Sequence, residues 1–232
     1  MEMYRIGLKS NTAFFRNEVT STSYQETFNC PPLSTIHGLI AAAYGEYRYD
    51  LEIGYVFKYL FKSCDSELIL RKNSSHKDLY KKFINDNRFD RNDILRGCGG
   101  TIPIKREVLF DCKLYLYINN AEVAMSFNNP FYSLLLGRSE DIASVFERPH
   151  EISLQNVKES VNFGMTIVPF EKIKLIPGRI SKMNIKISET YPRKVEASGI
   201  FNIIDKTWSI SNLPDSVKFD PGLNMGIYIH KG

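Results

Sequence analysis

Apolar and polar residues alternate along Tyr4-Arg5-Ile6-Gly7-Leu8-Lys9, placing Tyr4, Ile6 and Leu8 on one face of a strand and Arg5, Gly7 and Lys9 on the other. A loop with Phe14, Phe15 and Arg16 follows. Then comes Pro31-Pro32, which cannot be helical because each ring removes a backbone donor and restricts the residue before it. Ser34 is a good N-cap and Gly45 a good C-cap. The apolar run between them predicts a helix from about Ser34 to Tyr44, with Ile36, Leu39, Ile40 and Ala43 sharing a face. Gly38 and the alanines at 41–43 carry little bulk, which predicts close packing of this helix against a sheet.

Ile53 to Phe61 and Glu67 to Leu70 read as strands separated by a Ser/Cys/Asp turn. Residues 72–103 are polar, end their charged stretch in Gly97-Cys98-Gly99-Gly100, and read as a thumb-like insertion. A long strand starts at Ile104, and Pro130 opens a short predicted helix, Phe131 to Leu136, stopped by Gly137. The last third is rich in strands: Met165 to Val168, Lys172 to Ile176, Met183 to Ile187, Gly199 to Ile204, Thr207 to Ile210 and Gly226 to His230. Asp205-Lys206 reads as a tight hairpin turn. The order predicts an α+β fold: a ferredoxin-like, RNA-recognition-type antiparallel sheet with helices on one face. Residues 1–145 form its core, and 146–232 a strand-rich C-terminal part packed on it.

At 232 residues the chain can bury one good core, with or without an appended subdomain. The net charge of +4 says little about a polyanionic partner, but residues 171–194 alone carry +5. In that stretch Lys182 and Lys186, like Lys172 and Lys174, occupy alternate positions of predicted strands. This makes either a solvated sheet face or a basic stripe that tracks phosphates. The insertion interleaves Lys and Arg with Tyr80, Phe83 and Phe89, fitting a base-stacking surface or an ordinary amphipathic helix. Its glycines lack the Lys-Ser/Thr of a phosphate-binding nucleotide loop.

Cys30, Cys64, Cys98 and Cys112 are far apart and have no His at ligand spacing, so neither zinc nor a disulfide framework is expected. No signal-peptide pattern and no membrane-spanning run are visible, and a soluble cytoplasmic protein is expected. His37, His76, His150 and His230 stand in no hydrolase motif, and His37 reads as part of the helix scaffold. A metal-free ribonuclease assembled from distant Tyr, Lys and His stays open on spacing alone.

Several segments together resemble one family. These are the first strand running into Ala13-Phe14-Phe15-Arg16, the stretch Thr27-Phe28-Asn29-Cys30-Pro31-Pro32-Leu33-Ser34-Thr35-Ile36-His37-Gly38-Leu39-Ile40, and Gly45-Glu46. Arg106-Glu107-Val108-Leu109 leading into Tyr115-Leu116-Tyr117 follows, and then Asn129-Pro130-Phe131-Tyr132-Ser133-Leu134-Leu135-Leu136-Gly137-Arg138-Ser139-Glu140. In order and spacing they resemble the Cas five subunits of type I CRISPR interference complexes, most like the type I-B branch, over about residues 3 to 145.

The resemblance implies a RAMP-superfamily protein that caps the 5′ handle of CRISPR RNA (crRNA) within the antiviral Cascade complex. Partners would be the backbone subunit and the large subunit, and target DNA would be met indirectly. Relatives of the type I-C branch cleave precursor RNA with a Tyr, Lys and adjacent His; here Ile104-Lys105-Arg106-Glu107 has no Lys-His pair, and His76-Lys77 has the reverse order. The implied role is therefore RNA binding without catalysis, with no metal or other cofactor. Arg16, Lys105, Arg106 and Arg138 are the expected RNA-contacting cations, and Gly99 and Gly100 the expected thumb hinge.

Overall fold

The computed structural model describes residues 1–20, 23–72, 99–157, 159–172, 176–190 and 192–231. Most of the expected insertion, with His76 and Lys77, lies outside the described residues, as do 173–175 of the Lys172 to Ile176 strand. In chain order the strands are β1 (Glu2–Ala13), β2 (Tyr24–Gln25), β3 (Ile53–Lys58), β4 (Phe61–Lys72), β5 (Gly99–Ile118), β6 (Ala143–Ser153) and β7 (Gln155–Asn156). They continue as β8 (Val161–Phe163), β9 (Thr166–Pro169), β10 (Arg179–Ile187), β11 (Val195–Ile204), β12 (Trp208–Ile210), β13 (Val217–Asp220) and β14 (Met225–His230). Helix α1 spans Leu33–Tyr44 and α2 spans Ala121–Met125. The fold is α+β and dominated by sheet.

The chain divides into two units: Met1–Phe15, Thr27–Ser63 and Val108–Gly232 form the first, Arg16–Glu26 and Cys64–Glu107 the second. In the first, the elements β1, α1, β3, β5, α2, β6 follow one another as βαββαβ, with the strands side by side in the order β3-β5-β1-β6. All three pairings are antiparallel. This is a split-βαβ arrangement. Beyond β3 the sheet continues through β14, β8 and β12, while β10, β11 and β9 form a separate sheet.

Alternation decides what each face buries. Register sets Ile6 and Tyr55 against Leu116, and Leu8 and Phe57 against Leu114; these join Ile36, Leu39 and Ile40 of α1 and Val123 and Ala124 of α2 in one core. The opposite face carries Met3, Val56 and Tyr117, covered by Met225, Ile227 and Ile229 of β14. Buried within the first unit, Asp220 accepts from Arg5 and Tyr117.

Helix α1 ends as its sequence predicts, with Gly45 at φ 103° and its N–H on the Ala41 carbonyl. It begins earlier, with Pro32 at the N-cap in place of Ser34. Ile36, Leu39, Ile40 and Ala43 meet the core on one face as expected, whereas Gly38 and Ala42 line an open groove of about 740 Å³ instead of packing against the sheet. Tyr47, Tyr49 and Tyr132 share this groove.

Three further expectations are corrected. Phe131 to Leu136 is not helical, because the Phe131 and Tyr132 N–H groups donate to the Ala43 and Ala42 carbonyls and satisfy the end of α1. The second helix is α2, where the Asn120 side chain accepts from Val123 N–H at 3.0 Å. Asp205-Lys206 joins no hairpin, since β11 pairs with β9 and β10 while β12 pairs with β8. The turn after β3 falls at Tyr59-Leu60 rather than at the Ser/Cys/Asp stretch, with Leu60 N–H on the Phe110 carbonyl and Phe61 stacked on Phe110 at 4.8 Å. Gly137, at φ 124°, lies so close to Phe14 that a β-carbon would collide with the Phe14 carbonyl oxygen, which fixes the turn into Arg138.

Replacing the cap tests the α2 assignment. Asn120→Ala is expected to cost about 1 kcal/mol, read as a lower urea midpoint with an unchanged slope. A midpoint that does not move would mean that the cap contributes nothing to α2.

Candidate nucleic-acid interface

In the second unit, β2 runs parallel to β5 with Tyr24 opposite Lys105 and Gln25 opposite Arg106, and Lys105 N–H donates to the Ser23 carbonyl at 2.8 Å. A strand sends neighbouring side chains to opposite faces, so adjacent cations separate. Lys105 is exposed. Arg106 is buried, with Nε 3.1 Å from Gln25 Oε1 and Nη1 2.6 Å from Glu67 Oε2. Its charge is answered inside the unit, which removes it from the set of exposed cations expected to meet RNA. A buried pair of this kind is strongly destabilising to break, because the remaining charge is stranded.

Tyr24 stands on the Lys105 side and donates from Oη to Glu107 Oε1 at 2.7 Å. That hydrogen bond, with the charge of Glu107, pushes the phenol up to about 12, so the ring stays neutral beside the lysine. Tyr24 is a candidate contact that sequence reasoning missed; only the pairing of β2 with β5 places it there. Arg16 is exposed in the same unit, and Asn17 and Glu26 tie its segment together through Asn17 Nδ2 at 3.2 Å from Glu26 Oε2. Gly99 and Gly100 are the first two residues of β5. The thumb they were expected to hinge lies outside the described residues.

Arg138, in the first unit, is held by Asp141. Its Nε and Nη2 lie 3.1 and 3.0 Å from the two carboxylate oxygens, its backbone N–H donates to Oδ2 at 2.9 Å, and Thr12 Oγ1 donates to Oδ1 at 2.7 Å. The guanidinium also sits 5.9 Å from the centre of the Phe14 ring. Asp141 is fully buried, so the pair orders the turn after Gly137, and little of the arginine's charge is left for a phosphate.

The expected stripe on β10 is interrupted. The register shifts between Asn184 and Lys186, and Lys186 lies 4.5 Å over the Tyr49 ring and 3.4 Å from Glu196. Lys182 stays exposed, and Lys174 lies outside the described residues.

Two of the histidines lie in the core. His37 and His230 are buried, and His37 Nδ1 and His230 Nε2 have no hydrogen-bond partner. Burial, with His37 close by, pushes His230 down to about 3, and burial also lowers His37. Both are therefore neutral at pH 7. Among the described residues no cluster of His, Cys, Asp and Glu could hold a metal ion, and no helix is long and apolar enough to cross a membrane.

No protein-family model matches the sequence, and no curated protein does. Solved structures do match. A chain of a structure described as a CRISPR RNA-guided surveillance complex is 14% identical, with 89% of each chain covered and a TM-score of 0.54. A CRISPR protein from Archaeoglobus fulgidus is 12% identical over 100% of both chains, with a TM-score of 0.50. A chain of the type III-B Cmr-beta complex bound to cognate target RNA and AMPPnP is 10% identical over 88% of this chain and 85% of its own, at 0.51. At such identities the likeness is one of fold, and the fold is one that CRISPR-associated proteins share.

Proposed function

We propose that this chain is a CRISPR effector-complex subunit of the Cas five type, closest to the type I-B branch. It holds the 5′ handle of crRNA, joins the backbone and large subunits, and does not cut RNA. The observation that carries this reading is the fold likeness to a chain of an RNA-guided surveillance complex over 89% of both chains. The βαββαβ order of the first unit supports a ferredoxin-like core, and the segments quoted above from Ala13 to Glu140 support the branch. Lys105 and Arg16, exposed in the second unit, are the cations assigned to the handle, with Tyr24 available to stack on an unpaired base. The non-catalytic reading draws on His37 and His230 being enclosed in the core, and on His150 standing without a Lys beside it in sequence.

The test is a titration of the purified chain with a single-stranded handle RNA, in EDTA, at several salt concentrations. Binding is expected to weaken steeply with salt, and Lys105→Gln and Arg16→Gln should each make the slope shallower by about 0.7. The RNA should emerge intact. Affinity that ignores both substitutions would overturn the handle site, and cleavage abolished by a histidine substitution would replace the binding role with endoribonuclease activity.

A further inference from the structure

Lysines far apart in sequence meet in one row of the central sheet. Lys9 of β1 and Lys58 of β3 both stand directly opposite Lys113 of β5, on the face turned away from α1 and α2. Adjacent strands lie about 4.8 Å apart, so the row is roughly 10 Å long. Like charges placed directly opposite one another destabilise a sheet. No carboxylate offsets them: among the described residues none of the three forms an ion pair. Glu147, on neighbouring β6, is engaged by Arg5 at 2.7 Å, and Asp111, two residues before Lys113, makes no ion pair with it.

The next row holds aromatic rings. Tyr115 follows Lys113 on the same face of β5, Phe146 of β6 meets its ring edge-on at 5.7 Å, and Lys58 Nζ lies 5.9 Å from the Tyr115 ring centre. Phe146 is 40% exposed, and Lys9 and Lys113 are exposed as well. A row of uncompensated cations beside an open aromatic ledge matches a nucleic-acid strand with unpaired bases: phosphates over the lysines, a base against Phe146 and Tyr115. A duplex would keep its bases stacked on each other and leave the ledge unused.

We propose that this face of the sheet is a second contact surface for single-stranded RNA, in addition to the Arg16 and Lys105 site. The choice of RNA rests on the function proposed above. The position on the two central strands and their neighbours makes the surface rigid, since β1, β3 and β5 are also the walls of the main core.

The experiment uses fluorescence anisotropy of the full chain with a labelled single-stranded RNA at several salt concentrations. The triple variant Lys9→Gln, Lys58→Gln, Lys113→Gln is expected to bind at least about tenfold more weakly, with a salt slope shallower by about 2. Phe146→Ala should weaken binding by about fivefold or more. The triple variant should melt no lower than the parent, because opposed like charges have been removed. Unchanged affinity and slope in the triple variant, while Lys105→Gln weakens binding, would overturn this surface and leave the handle site standing. Failure of the parent chain to bind RNA at all would overturn both. Equal affinity for single-stranded DNA of the same sequence would overturn the assignment to RNA.

Discussion

Asp220→Ala is expected to destabilise the protein by about 3–5 kcal/mol, enough to remove much of the stability of an ordinary domain. Asp220 is 2% exposed and receives three donors: Arg5 Nη1 at 2.8 Å and Tyr117 Oη at 2.7 Å on one oxygen, Gly222 N–H at 2.8 Å on the other. Burial alone would raise its carboxyl, but the hydrogen bonds from Tyr117, Arg5 and Gly222 more than reverse this and hold it below the usual carboxylate range. Truncation therefore strands a guanidinium whose other acid partner is Glu147, and leaves the buried Tyr117 hydroxyl without its acceptor. Tyr117→Phe removes one hydrogen bond and should cost about 1–2 kcal/mol. Pairing Asp220→Leu with Arg5→Met should recover part of the loss, because no guanidinium is stranded, while Glu147, partly exposed, keeps its contact with solvent and the Tyr117 hydroxyl stays without its acceptor. Urea unfolding of the four proteins decides it: an Asp220→Ala loss below about 1 kcal/mol, or a double variant as weak as the single, would mean the network carries no such energy.

The same network illustrates what periodicity can and cannot reveal. Alternation along Tyr4 to Lys9 correctly separates Ile6 and Leu8 from Arg5 and Lys9, since the period of a strand is a local property. That Arg5 finds Asp220, 215 positions away, depends on register and on the β13–β14 connection, which no local pattern encodes. The adjacent pair Lys105-Arg106 makes the point for the site. One of two neighbours on a strand must face inward, but which one does so is decided by Gln25 and Glu67. The row of Lys9, Lys58 and Lys113 likewise exists only through the pairing of β1 and β3 to β5, although each lysine sits at a polar position of its own strand. Phe131 to Leu136 stays out of a helix for a related reason: its first amides serve the carbonyls of α1, a partner remote in sequence that outweighs local helix preference.

Acid should weaken the fold from about pH 6.5 downward, and His230 is the group to watch. An unfolded histidine takes up its proton near pH 6.5, whereas His230 in the fold resists it until about pH 3. Between these values the unfolded chain binds more protons, so stability is fully present above about pH 6.5 and falls as the pH falls. The slope is about 1.4 kcal/mol per pH unit for one such group, hence roughly 2–3 kcal/mol by pH 4.5. His37, also lowered by burial, acts in the same direction. Asp220 adds its own loss only below the ordinary carboxylate range, so the window from pH 6.5 to 4.5 isolates the histidines. His230 lies among Tyr228, Tyr55 and Phe201, with ring centres 4.7 to 6.4 Å away, so His230→Phe keeps an aromatic ring in an aromatic setting. That variant should lose about one proton's worth of the slope while keeping its stability at pH 7.5 within about 1.5 kcal/mol. Urea midpoints that stay level from pH 7 to 4.5 in the parent, or an equal slope in His230→Phe, would show that the buried ring accepts its proton without opposing the fold.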